Sequence, residues 1–316
     1  MHKTAKISAL GALLYYIFYK PKGIIKNCFH LGIINSFLLS LGKSQMKMAT
    51  YHLKPIQVKP DSKEYDVHFL SGKNFWYQTC FCVYSLIKYS PINVRPVIYD
   101  DGTLRNNHIQ LFKKVFPSAV IILQNEINLR LDKFLPESKF PLLRRRRIYY
   151  PNLRKLLDMR VGNIGWQLVF DSDIIFFREP KMLINWLKSP QKPCHLVDLD
   201  NFYGYTEELM ESIVKRKIPQ RVNVGIIGIN NDNIDWEELE FWYKTMLEKE
   251  GEEYALEQAL TAMLISDSES FILSNEDYIL NPSIKEAKEP KKIMHHYVAD
   301  SKLGYFRYAW RHVIGE

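Results

Sequence analysis

Two aspartates two residues apart, Asp171 and Asp173, stand in the middle of an apolar run, Val169-Phe170-Asp171-Ser172-Asp173-Ile174-Ile175-Phe176-Phe177. Carboxylates drawn into apolar surroundings are costly unless something positive sits beside them. A hard divalent cation meets that need, because Mn²⁺ and Mg²⁺ favour carboxylate oxygens and commonly share their shell with a substrate's phosphates. Asp-x-Asp also arises by chance, and a second copy occurs at Asp198-Leu199-Asp200. Only the first copy has strong apolar runs on both sides, so Asp171 and Asp173 are the expected metal ligands.

Such a pair needs a rigid element to hold it. Trp166 to Phe170 reads as a buried strand delivering Asp171-Ser172-Asp173 at its carboxyl end, where open α/β sheets place their ligands. Short apolar runs alternate with longer helical ones throughout the region, which predicts an α/β domain with a largely parallel sheet. Val67 to Leu70 is the first predicted strand, closing at Ser71-Gly72, with a helix from about Phe75 to Tyr89 after it. Val94 to Tyr99 is the second, stopping at Asp100-Asp101-Gly102, and a helix through Leu104 to Phe116 leads to a strand at Ala119 to Leu123. Arg144 to Met159 reads as a helix that Pro151 must kink or begin. Later strands are expected at His195 to Leu199 and Val222 to Ile229, with helices near Trp236 to Glu248 and Tyr254 to Ser266.

Local readings of the remaining polar residues are structural as often as chemical. Asp-Asp-Gly at a strand end is a favoured turn, Asn223-Val224-Gly225 inside a strand fits a bulge, and Glu257 suits a helix start. The run Arg144 to Arg147 reads most simply as a solvated helix face.

Taken in order, the residues resemble the GT-A glycosyltransferases. Asp171-Ser172-Asp173 at a strand end looks like their Asp-x-Asp signature, and Val222-Asn223-Val224-Gly225 is similar to the Asn-x-Gly strand bordering the sugar pocket. Glu257-Gln258 falls where related enzymes carry an acidic residue and Gln facing the donor sugar. His296-Tyr297, with Lys302 six residues after the histidine, resembles the tail of the retaining family that includes glycogenin and lipopolysaccharide galactosyltransferases. Ala299 and Leu303-Gly304 stand where that family has Gly and Pro-Trp. The resemblance spans roughly residues 65–306.

It implies a Rossmann-like mixed, mostly parallel sheet flanked by helices, and transfer of a hexose from a nucleotide-diphosphate sugar, a UDP-sugar foremost, to a glycan or lipid-linked acceptor with retention. Asp171, Asp173 and His296 would hold Mn²⁺ or Mg²⁺, with His295 the alternative imidazole. Ser71, Gly72, Asp101, Lys155, Ser172, Gly225 and Lys302 would contact the donor, Arg154 being the alternative to Lys155. Glu257, Gln258 and Asn223 would act at the sugar. Chemically the set is coherent: a departing nucleoside diphosphate gains negative charge, which a cation and Lys302 would stabilise. A sugar nucleotidyltransferase is the nearest rival, but Ser71-Gly72-Lys73-Asn74 is short for a triphosphate loop. A non-catalytic membrane-associated scaffold of the same fold is the other.

Composition sets the outer bounds. The chain has 47% hydrophobic and 25% charged residues, ordinary for a globular protein. Its formal charge of +8 is concentrated: residues 1–60 contain nine lysines and neither Asp nor Glu. The division expected is therefore a basic, apolar, helical arm over 1–60 and a GT-A domain over 61–316. The apolar run Ile7 to Tyr19 falls short of the ~20 residues a spanning helix needs, and no small-residue cleavage site follows it. Peripheral contact of the arm with an anionic membrane face competes with ordinary packing. The domain's neutrality and the lack of a recognition motif argue against nucleic acid. Four cysteines without metal-ligand pairing predict reduced thiols and a cytoplasmic location.

Overall fold

The computed structural model describes residues 32–57 and 63–315; the run Ile7 to Tyr19 lies outside them. Seven strands form the main sheet in the order β3-β2-β1-β4-β7-β6-β8: β1 Glu64–Ser71, β2 Asn93–Asp100, β3 Val120–Ile122, β4 Trp166–Phe170, β6 Cys194–Val197, β7 Val222–Asn230 and β8 Phe271–Leu273. The first four strands in that order pair in parallel, as do β6 and β8, whereas β7 runs antiparallel to both β4 and β6. All of β7 but its last residue is buried, which suits its Val- and Ile-rich sequence to a central position. Its glycines allow close approach: a Cβ on Gly228 would stand 2.4 Å from the Trp186 ring.

Helices cover both faces. An N-terminal helix α1 (Ile33–Thr50) precedes the sheet, and α2 (Trp76–Lys88) links β1 to β2 with ten of its side chains buried. Further along come α3 (Asn106–Val115), α4 (Gln124–Phe134), α5 (Pro141–Tyr149) and α6 (Leu153–Leu157). The single helix expected over 144–159 is thus two. Tyr150 leaves the helical region ahead of Pro151, φ −125° and ψ 89°, because proline disfavours helix in the residue before it, and the helix restarts after it. Three of the four consecutive arginines are also tied down rather than simply solvated: Arg144 pairs with Asp132 and Arg146 with Glu252, while Arg147 forms a buried pair with Asp158. The remaining helices are α7 (Lys181–Lys188), α8 (Glu207–Val214), α9 (Trp236–Glu250), α10 (Leu256–Leu264) and α11 (Ile284–Lys288).

A second, three-stranded sheet joins β5 (Ile174–Phe176), β10 (Met294–His296) and β9 (Tyr278–Leu280). Its antiparallel register sets His296 opposite Ile174, and Tyr297 N–H donates to the Asp173 carbonyl at 2.9 Å. The chain then closes with a helical run over 302–314 whose middle, Tyr305–Ala309, winds as a π-helix. Trp310 of that run lies edge-on to Phe81 of α2, ring centroids 5.4 Å apart. Burying each such ring contributes roughly 1.5–3 kcal/mol. Met46 of α1 and Leu53 belong to the same core as these rings.

Candidate active site

β4 ends at Phe170, and the turn that follows points Asp171 and Asp173 into a cleft of about 750 Å³. The turn is pinned on both sides. Asp171 N–H donates to the Gly225 carbonyl at 2.7 Å, and the hydroxyls of Ser71, Thr79 and Ser172 form a chain with 2.8 Å links. Ser71 and Ser172 therefore brace the loop, with Thr79 of α2 between them.

His296 reaches the same cleft from the second sheet. Its Nε2 lies 3.2 Å from Asp173 Oδ1 and 3.6 Å from Asp171 Oδ2, yet neither ring nitrogen has a hydrogen-bond partner, and the residue is 2% exposed. A buried imidazole whose nitrogens make no hydrogen bond is costly, and imidazole and carboxylates converging on one spot are the donor set of a hard or borderline cation. One ligand atom from each of the three residues falls within 4.8 Å of the others. The residues thus fit a divalent cation, their carboxylate oxygens and imidazole suiting Mn²⁺ or Mg²⁺. His295, the alternative imidazole, faces away and packs against Phe177 with its Nδ1 2.9 Å from the Tyr297 hydroxyl.

Two lysines complete the charge pattern. Lys155 of α6 donates to Asp171 Oδ1 at 2.8 Å and lies 3.6 Å from Glu257 Oε2, while Lys302 is paired with Asp173 Oδ2. Arg154 turns the other way and donates to the Asp101 carbonyl. Burial pushes the Asp173 carboxyl up, but the Lys302 ammonium and the His296 ring outweigh it and hold the group below the ordinary range. Burial works against the charged form of Lys155 as well, and is overcome by Asp171 and Glu257, so its pKa rises. Glu257 goes the opposite way: desolvation dominates over the pull of Lys155 and lifts it to about 7.

The chain has the fold of the GT-A glycosyltransferases. It superposes on mouse xyloside xylosyltransferase 1 with a TM-score of 0.52 at 10% identity, covering 76% of this chain and 99% of that one. An active-site mutant of LgtC gives 0.50 at 16% identity over 74% and 87%. The galactosyltransferase LgtC bound to donor and acceptor sugar analogues gives 0.49 at 14%, again over 74% and 87%. No protein-family model and no curated protein matches the sequence.

Within the GT-A frame the other sequence-derived candidates divide by role. Asp101 lines the cleft, and a Cβ on Gly72 would stand 2.0 Å from its carboxylate, so Gly72 makes room for Asp101. The turn itself is made by Asp100, whose Oδ1 accepts from Gly102, Thr103 and Leu104 N–H. Gly225 similarly clears space for His296: a Cβ there would lie 2.3 Å from the ring. Asn223 and Gln258 both donate to Asp198 Oδ2, at 3.0 and 3.1 Å, and all three line the cleft. Asp198, in the copy of the motif ranked behind the first, is thus the centre of a polar cluster that the sequence did not disclose. Arg160 was also missed. It is buried behind Glu257, donates to Asn231 Oδ1 at 3.2 Å, and is lowered to about 10 by burial against the attraction of Glu257.

Proposed function

We propose that this chain is a metal-dependent glycosyltransferase moving a hexose from a nucleotide-diphosphate sugar, a uridine one, to a glycan or lipid-linked acceptor with retention. The observation that carries the reading is the buried His296 imidazole, aimed at Asp171 and Asp173 in the main cleft of a GT-A fold with neither ring nitrogen in a hydrogen bond. A divalent cation held by these three residues would supply fixed positive charge against the diphosphate. Lys302, paired with Asp173, would bind a donor phosphate oxygen, and Lys155, paired with Asp171, would reach over the donor. Asp101, Ser71 and Gly72 would border the nucleoside at the carboxyl ends of β1 and β2, where α/β sheets bind nucleotides. Asn223, Gln258 and Asp198 would orient the sugar hydroxyls, and Glu257 would set the charge around them.

Exposed aromatic rings at the mouth, Phe75, Phe202 and Tyr254, offer flat apolar faces for an acceptor sugar. The loop between β1 and α2 is only residues 72–75, too short to wrap a triphosphate, which favours a transferase over a nucleotidyltransferase. The test is a screen of UDP- and GDP-sugars for Mn²⁺-dependent hydrolysis, comparing the wild type with Asp173→Asn. Hydrolysis of a UDP-hexose that collapses in the variant supports the reading; activity undiminished by the substitution refutes it. Retention is read from product anomericity by NMR, and an inverted product would overturn that part.

A further inference from the structure

Helix α1 has two apolar faces. Gly42, Met46 and Thr50 are buried, and Gly42 lies so close to the C-terminal run that a Cβ would stand 2.3 Å from the Phe306 carbonyl oxygen. On the other side Ile33, Ile34, Phe37, Leu41 and Met48 share one stripe at helical spacing and stand 43–78% exposed. Ordinary surface helices put charge on the face away from the core. Here the outward face is as apolar as the inward one.

The charge carried by α1 has a single sign. Lys43 and Lys47 are the only ionisable residues of α1, lying over the Phe306 and Tyr77 rings so that their stems follow the protein surface. Arg311, next to α1, donates to Gln45 Oε1 at 2.7 Å. Residues 1–31 add five more lysines and no acid. Either protein occupant of this chain's own making, a second copy or residues 1–31, would bring further positive charge onto it. An anionic surface is complementary to it.

We propose that α1 docks this chain in plane on an anionic lipid surface, its outward stripe entering the headgroup–acyl boundary and the segment's uniformly positive charge complementing the lipid phosphates. A lysine-bearing helix that turns a stripe of large apolar side chains outward shares the features of interfacial binding. Among the described residues no helix is long and apolar enough to cross a membrane, so α1 lies on the surface. The inference stands apart from sugar transfer, since it uses none of the cleft residues.

Flotation of the full chain with phosphatidylcholine vesicles, with and without phosphatidylglycerol, tests it. The wild type should float only with the anionic lipid and be released by salt. The double variant Phe37→Ser/Leu41→Ser should bind at least about tenfold more weakly, with unchanged Tm because both side chains point outward. In a Cys28→Ser background, a polarity-sensitive dye on Phe37→Cys should brighten and shift to the blue when anionic vesicles are added. Undiminished binding by the serine variant would overturn the proposal. So would a dye already shielded without lipid, which would mean residues 1–31 cover the stripe, or a stable dimer that the serine substitutions dissociate.

Discussion

A Cβ built on Gly225 would lie 2.3 Å from Cε1 and 2.5 Å from Nδ1 of His296. The glycine of β7 is therefore the clearance that lets an imidazole from a distant strand reach the two aspartates. No left-handed backbone is involved; the requirement is space alone.

Gly225→Ala should push the ring off Asp171 and Asp173. Loss of one ligand's geometry commonly costs on the order of 10–100-fold in metal affinity, and Mn²⁺ titration calorimetry should read a loss of that size. Mn²⁺ affinity equal to the wild type would mean that His296 is not a ligand.

Lys155 neutralises two acids at once, Asp171 at 2.8 Å and Glu257 at 3.6 Å. Lys155→Met removes the ammonium that both acids face and leaves Glu257 only the attraction of Arg160, a loss of about 3 kcal/mol for a buried pair, somewhat less here because Asp171 is partly exposed. It also frees Asp171 Oδ1 from a competing ammonium. The variant should thus melt well below the wild type in EDTA and show the larger upward Tm shift on adding Mn²⁺. Equal Mn²⁺-induced shifts in the two proteins would contradict this account.

Glu257 has a folded pKa of about 7 against an ordinary 4.5. Between those values the folded chain holds a proton that the unfolded chain has released, so stability falls as pH rises through the window and the full cost is present above it. Glu257→Gln removes that cost. At about 1.4 kcal/mol per pKa unit, the variant in EDTA should gain on the wild type by up to ~3 kcal/mol between pH 5 and pH 8. A Tm difference independent of pH would show that Glu257 ionises normally. Loss of transfer in the same variant would mark the residue as one whose cost is kept for function.

Ala299, between His296 and Lys302, has a φ of 42°, the left-handed region where a side chain costs about 1–2 kcal/mol. Glycine removes the clash but has more freedom to lose on folding, roughly 0.5–1 kcal/mol. Ala299→Gly should therefore raise Tm by a degree or two in differential scanning calorimetry; a lower Tm would mean that the methyl's packing outweighs the backbone strain.

Some of this was legible from residues alone. Asp171 and Asp173 declared themselves because charge inside an apolar run needs an explanation, and β4 appears with the bounds Trp166–Phe170 that the run predicts. His296 was different. Only the order of motifs pointed to it, since the β10–β5 pairing that delivers it joins distant segments with short, ordinary sequences. The antiparallel course of β7 was hidden for a related reason: a strand buried on both faces reads alike in either direction. The flanking apolar runs also set the first Asp-x-Asp copy ahead of the second, and the first is the one that gathers with His296, while the hydrogen bonds of the second stayed concealed.

Asp198 acquires its meaning from residues far along the chain. Its Oδ2 gathers the amides of Asn223 and Gln258, and Gln258 is further held by the Phe202 carbonyl at 2.9 Å. The cluster shares the cleft with the aspartate–histidine group but no hydrogen bond links the two among the described side chains. Asp198→Ala should release both amides from their fixed directions, and misplacing groups around a reacting sugar can cost on the order of 100-fold in rate. Mn²⁺ affinity and Mn²⁺-dependent UDP binding should stay within a few-fold of the wild type, because Asp171, Asp173, His296 and Lys302 are untouched. Parallel measurement of kcat and UDP affinity separates the roles: a fall in kcat alone assigns Asp198 to the sugar side of the cleft, whereas a matching fall in UDP binding would place it with the metal and refute the division drawn here.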